Sequence, residues 1–228
     1  MAYILHIETS TKQCSVAIGY KGKCISEKKL LSQNYSHEEK LHVFIQEALE
    51  EVNLDISELG AVSVSKGPGS FTGLRIGVAA AKGICFALDL PLIAVNTLKL
   101  MIQPHLEKKD IDFLIPMLDA RRMEVYTAIY DKLGNCIQQT NAHVLTESSF
   151  QKIVGDSNCF IIGNGALKFQ NIKPRIKAYF SESIYHPSAK DMCSLSWEHN
   201  LNRNYQDINL FEPYYLKDFQ TTLPKNNK

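Results

Sequence analysis

Over the first thirty residues the chain reads as extended segments broken by polar turns. Residues 3–8 (YILHIE) and 14–20 (CSVAIGY) are rich in β-branched and aromatic side chains, with the polar run Thr9-Ser10-Thr11-Lys12-Gln13 between them. Residues 23–31 supply a third strand, giving an opening antiparallel meander. From Ser36 to Val52 the period changes. Leu41, Ile45, Ala48, Leu49 and Val52 recur at helical spacing, with Glu39, Lys40, Gln46, Glu47 and Glu50 on the remaining positions. Ser36 is the expected N-cap, and Glu39 three residues later completes a capping box. Residues 61–65 then predict a strand, Gly67-Pro68-Gly69 a turn, 70–88 a second helix and 91–95 another strand.

The second half repeats the theme less completely. Residues 113–119 and 124–130 read as strand, turn, strand, and 131–135 as a turn. A short helix is expected at 147–154, a strand at 159–162, a helix at 188–203 and a last strand at Pro213-Tyr214-Tyr215-Leu216. The tail from Pro224 to Lys228 is polar and expected to be disordered. The order βββαβα is the ribonuclease H-like unit of actin-like, hexokinase-like and Hsp70-like ATPase lobes, so the fold class is α/β with two such lobes, the second reduced. Gln103-Pro104 and the charged run from Glu107 to Asp110 interrupt the apolar pattern, which places the boundary between residues 1–103 and 104–228.

Composition narrows the function. Apolar residues make up 45% of the 228 positions and charged residues 21%, enough to bury a core. There are 25 basic and 24 acidic residues, for a net charge of +1. A chain that grips RNA by itself usually carries a basic excess, because phosphate neutralisation dominates such affinity. That excess is missing here. The six cysteines are scattered and form no C-x-x-C pair, which argues against zinc-site spacing and for reduced thiols. Met1 leads into Tyr3-Ile4-Leu5 without a basic segment or a cleavage site, and no run approaches ~18 uninterrupted apolar residues. A cytoplasmic protein that does not cross a membrane is expected.

The most specific local run is Lys66-Gly67-Pro68-Gly69-Ser70-Phe71-Thr72-Gly73-Leu74-Arg75-Ile76-Gly77. It is neither a Walker A loop, since Leu74-Arg75 follows Gly73, nor a G-x-G-x-x-G fingerprint, since its spacing is G-x-G-x-x-x-G. Gly73, Gly77 and Ala81 instead form a smooth stripe at i, i+4 and i+8, and the helix is apolar nearly all round. Such a helix is buried on more than one side, by ordinary core packing or by a partner chain; the partner chain is the reading preferred here. Partner-facing positions are therefore expected at Val43, Phe44 and Glu47 on the first helix and at Leu74, Arg75, Val78 and Lys82 on the second.

Catalytic signals are weak. Glu8-Thr9-Ser10-Thr11 lies where an actin-like ATPase holds its first phosphate loop, but Ser10 replaces the glycine. The second hairpin, Asp119 to Glu124, carries Arg121 and Arg122 and no glycine, and Gly163-Asn164-Gly165 reads as a simple turn. His37 and His42 are five apart, so on a helix they diverge by ~140° and share no metal. No nucleophile elbow is present. No catalytic, cofactor-binding or metal-binding residue is assigned, and no cofactor is expected.

Taken together these motifs resemble the TsaB family over nearly the whole chain. Ile7-Glu8-Thr9-Ser10-Thr11, Cys14-Ser15-Val16-Ala17, the Gly-Pro-Gly run through Gly77, Leu118-Asp119-Ala120-Arg121, Glu124-Val125-Tyr126 and Pro213-Tyr214-Tyr215-Leu216 carry the likeness. The resemblance implies a non-catalytic subunit that assembles with the catalytic paralogue TsaD and the ATPase TsaE, meets tRNA through them, and serves threonylcarbamoyl transfer to adenosine 37 of tRNAs reading codons that start with A. It leaves monomer and homodimer open for the isolated chain. The paralogue has a metal-binding H-x-x-x-H after the strand that follows its Gly-Pro-Gly helix; Thr97 and Met101 stand at those places here. Without the ligands the transfer chemistry loses its electrophilic metal. The same absence weighs against a metallopeptidase-like hydrolase, and the missing phosphate-loop glycine against an actin-like small-molecule kinase.

Overall fold

The computed structural model describes residues 3–32 and 37–217; the expected N-cap Ser36 and the polar tail Pro224–Lys228 lie outside them. The meander forms as expected. β1 (Tyr3–Glu8), β2 (Gln13–Tyr20) and β3 (Lys23–Leu31) pair antiparallel, and α1 (His37–Glu51) follows. β4 (Leu59–Gly67), α2 (Phe71–Leu88) and β5 (Leu92–Asn96) then complete a five-stranded sheet of order β3-β2-β1-β4-β5, with β1, β4 and β5 parallel.

The second lobe repeats that order. β6 (Phe113–Asp119), β7 (Glu124–Asp131), β8 (Cys136–Val144), β9 (Asn158–Ile162) and β10 (Lys177–Phe180) form a sheet of order β10-β9-β6-β7-β8. Its covering helices are short: α4 (Gln151–Val154) and α5 (Ala166–Asn171). Burying a side chain such as Phe169 against Met117, Val125 and Ile161 still stabilises this reduced lobe, by roughly 2 kcal/mol for a large apolar residue.

α3 (Thr97–Ile102) lies between the sheets. Its Leu98, Met101 and Ile102 pack on Leu114, Leu118 and Ile162 of the second sheet, while Leu100 joins Ile4, Ala61 and Ile93 of the first. The chain then returns. The expected helix at 188–203 is a 3-10 turn, Ala189–Met192, followed by α6 (Cys193–Leu201), and both lie on the first sheet, where Met192 and Leu195 meet Ile4 and Val95. The expected second lobe of residues 104–228 is thus composite, because its last helix covers the first sheet on the face opposite α1 and α2.

One expectation needs correction. Pro213 to Leu216 is not a strand: Tyr214 donates one backbone hydrogen bond to the Lys66 carbonyl (2.7 Å) and Tyr215 stacks on Phe71, so the segment is a strap held at single points. α2 is also, by length and a mean hydropathy of 1.4, long and apolar enough to cross a membrane. It is a packed helix of the first lobe, with Arg75 and Lys82 along it.

Candidate functional site

The first hairpin is closed by the helix beside it. Thr9, Ser10 and Thr11 are buried, and the Ser10 carbonyl accepts the Ser70 N–H at 2.7 Å just where α2 begins. Ser70 caps α2 by accepting the Gly73 N–H. A β-carbon at Gly73 would sit 2.1 Å from the Thr9 carbonyl oxygen, and one at Gly77 2.2 Å from Thr9 Oγ1. Only glycine permits that approach, and Thr9 Oγ1 uses it to donate to the Gly73 carbonyl at 2.7 Å. From the other side His37 Nε2 bonds the Thr11 carbonyl at 2.8 Å. The small-residue stripe therefore packs on this chain's own hairpin, which is the ordinary-core reading rather than the partner reading. Glu8, fully buried beneath, accepts the Ser10 N–H at 2.6 Å; burial pushes its carboxyl up to about 7, and the Ser10 hydrogen bonds only partly offset that.

The second hairpin is open but occupied by its neighbours. Asp119 takes an ion pair from Lys168 (2.8 Å), and its N–H donates to Asn164 Oδ1 (2.8 Å). Gly163 has φ +105°, and a β-carbon there would meet Met101 Cε and the Met117 carbonyl, each at 2.4 Å. The loop that follows β9 is filled by protein. Thr97 and Met101 fall one helical turn apart on the buried face of α3, each with no exposed surface. Met101 packs in the core between the lobes, among Leu98, Leu118 and Ile162. Among the described residues no group of three or more His, Cys, Asp or Glu gathers in a way that could hold a metal.

The outer faces of α1 and α2 are different. They enclose an open, mostly apolar groove lined by His42, Ile76, Ala79, Ala80, Gly83 and Ile84. Of the positions expected to face a partner, Val43 is 44% exposed and Glu47 is exposed, while Phe44 is half-buried against the core. Leu74 and Val78 lie elsewhere: at 1% and 4% exposure they share the arc of Gly73, Gly77, Ala81 and Cys85 that faces the sheet. Arg75 and Lys82 are engaged by the C-terminal strap. The Arg75 guanidinium stacks on Phe71 and donates to Tyr215 Oη at 3.0 Å, and Lys82 donates to the Phe211 carbonyl at 3.0 Å. Sequence reasoning missed Ile76, Ala79, Ala80 and Ile84. Their signal was present, since Ile76, Ala80 and Ile84 recur at i, i+4 and i+8 beside the glycine stripe.

Two lobes of the same strand order, joined through α3, define an actin-like ATPase fold whose first phosphate hairpin is sealed. A family model described as "TsaD: tRNA N6-adenosine threonylcarbamoyltransferase" matches residues 29–224. The chain is 27% identical to the tRNA threonylcarbamoyladenosine biosynthesis protein TsaB of Escherichia coli K12, covering 94% of each chain. With the protein of that name from Buchnera aphidicola subsp. Acyrthosiphon pisum it shares 31% identity over 90% of this chain and 98% of that one. The solved structure of YeaZ from Pseudomonas aeruginosa superposes with a TM-score of 0.81 at 26% identity, covering 95% of this chain and all of that one. The chain belongs to the TsaB family, a branch of the wider TsaD family.

Proposed function

We propose that this chain takes part in threonylcarbamoyladenosine biosynthesis on tRNA as a non-catalytic scaffold. It assembles with its catalytic paralogue TsaD and the ATPase TsaE, and the complex modifies adenosine 37 of tRNAs reading codons that start with A. The observation that carries this reading is the buried pair Thr97 and Met101 on α3, which by the family resemblance stand for the paralogue's two ligands. The sealed Thr9–Thr11 hairpin supports it, since the Ser10 amide is already spent on Glu8 and the turn is buried against the start of α2. The near-neutral charge supports contact with tRNA through the other subunits. The groove between α1 and α2 is the partner surface in this reading. A cytoplasmic location follows from the tRNA substrate.

A protein that only positions its partner contributes through pre-organisation and complex stability. The test is reconstitution from threonylcarbamoyl-adenylate, unmodified tRNA and the subunits in every combination, with mass spectrometry of the digested tRNA. No modified adenosine is expected from this chain alone, and a strong loss when it is left out. Product from the isolated chain would make it an enzyme.

A further inference from the structure

Gly19 sits at the centre of a small group of side chains that the scaffold role leaves unused. It pairs directly with Cys24 across β2 and β3, next to a register shift in that pairing. From the other side α6 brings Cys193, whose Sγ lies 3.1 Å from the point where a Gly19 β-carbon would be. His6 Nε2 lies 2.5 Å from the same point, is fully buried, and has no hydrogen-bond partner among the described residues. Because position 19 carries no side chain, a helix from the far end of the chain reaches an edge-strand cysteine. Directly opposed residues of an antiparallel pair face the same side of the sheet, so Cys24 and Cys193 approach each other over position 19.

We infer that Cys24 and Cys193 form a redox-active thiol pair, oxidised by peroxide to a reversible disulfide that ties β3 to α6. The partners are unequal in the way such chemistry needs. Cys24 is exposed and reachable, whereas Cys193 is buried directly behind it. The hydrogen bond from Cys193 draws the Cys24 thiol below the ordinary thiol range, and the same contact together with burial pushes Cys193 up. The other cysteines have no such arrangement: burial pushes Cys14, Cys85 and Cys159 up to about 12, and exposed Cys136 is also raised.

In the first step the Cys24 thiolate attacks one peroxide oxygen and the O–O bond breaks. Hydroxide leaves, takes up a proton, and Cys24 becomes a sulfenic acid. The Cys193 sulfur then attacks the Cys24 sulfur. The S–S bond forms, the S–O bond breaks, and the departing hydroxide leaves as water with the Cys193 proton. Two thiols lose two electrons in all, and one peroxide becomes two waters. The product closes a ring from β3 to α6 that contains the whole second sheet.

The reduced full-length chain is treated with hydrogen peroxide, its remaining thiols are alkylated after unfolding, and peptides are mapped without reduction. The expected result is one cross-linked pair joining the Cys24 and Cys193 peptides, with the other four cysteines alkylated. Melting followed by Trp197, the sole tryptophan and a residue of α6, should rise by roughly 5 °C or more and return after dithiothreitol. In Cys193→Ser, which keeps the shape of the site, Cys24 should proceed to sulfinic acid and the melting shift should vanish. Cys24 found sulfinic in the unaltered chain, both thiols recovered alkylated, or Cys136 oxidised as fast as Cys24 would each overturn the assignment.

Discussion

The two lobes share one strand order and differ in what covers the sheets. The first carries α1 and α2, of 15 and 18 residues; the second carries α4 and α5, of 4 and 6. In the first lobe a single helix both closes the hairpin at Thr9 and leaves a partly exposed apolar edge at Ile76, Ala79 and Ile84. In the second, the open Asp119 hairpin is held by an ion pair with Lys168, and the Gly163 turn is filled by the Met101 side chain. The comparison teaches that equivalent turns of one strand order can be filled by two separate routes. The helical route also leaves an open apolar groove between α1 and α2.

The largest expected effect breaks the first route. Gly73→Val forces methyl groups into the Thr9 carbonyl, and we expect a loss of ~3 kcal/mol or more in urea unfolding, with much of the protein insoluble. Gly83→Ala on the same helix meets nothing within 4 Å and should be neutral or gain ~0.5 kcal/mol from helix propensity. Equal effects at the two glycines would mean that the stripe is not what closes the hairpin.

The buried faces give the next contrast. Leu74→Glu and Val78→Glu should unfold the first lobe, since a charge would enter the arc facing the sheet. Ala79→Glu and Val43→Glu, at exposed positions, should keep the circular dichroism of the parent while weakening co-elution with the catalytic paralogue at least tenfold. Full co-elution of both exposed variants would move the partner surface off this groove.

Titration gives a smaller effect. The Glu8 carboxyl is raised in the folded state, so the native protein holds its proton more tightly than the unfolded chain. Stability is full below the ordinary carboxylate value of 4.5 and falls as pH rises through about 7. Glu8→Gln should remove that slope and leave the variant more stable at pH 8 by on the order of 2 kcal/mol. His6, which burial holds down to about 3, works in the opposite sense and costs stability as pH falls below 6.5. An unchanged slope between pH 5 and 7.5 in Glu8→Gln would assign the titration elsewhere.

Much of this fold was legible because its signals are local. Leu41, Ile45, Ala48 and Leu49 are buried on α1 as the helical period required, and the three opening strands lie where their β-branched and aromatic content and the bounding turns put them. β8 escaped notice because Cys136–Val144 is polar on both faces, as an edge strand can be, and β10 is only four residues long. The aromatic run at 213–216 looked like a strand, but a strand needs a ladder and this segment pairs at one point. At the candidate site the sequence carried the altered residues Ser10, Thr97 and Met101. It could not carry which arc of α2 faces inward, because that depends on Thr9, 64 positions away from Gly73.

The central claim is that this chain is needed for threonylcarbamoyl transfer without performing it. The most direct measurement holds TsaD, TsaE, the adenylate and tRNA fixed, titrates this chain, and reads modified adenosine by mass spectrometry. The account predicts a baseline near zero, a saturable rise that tracks complex formation, and a curve displaced to higher concentration with Ala79→Glu. Full modification with none of this chain added, or modification by this chain with TsaD omitted, would contradict it.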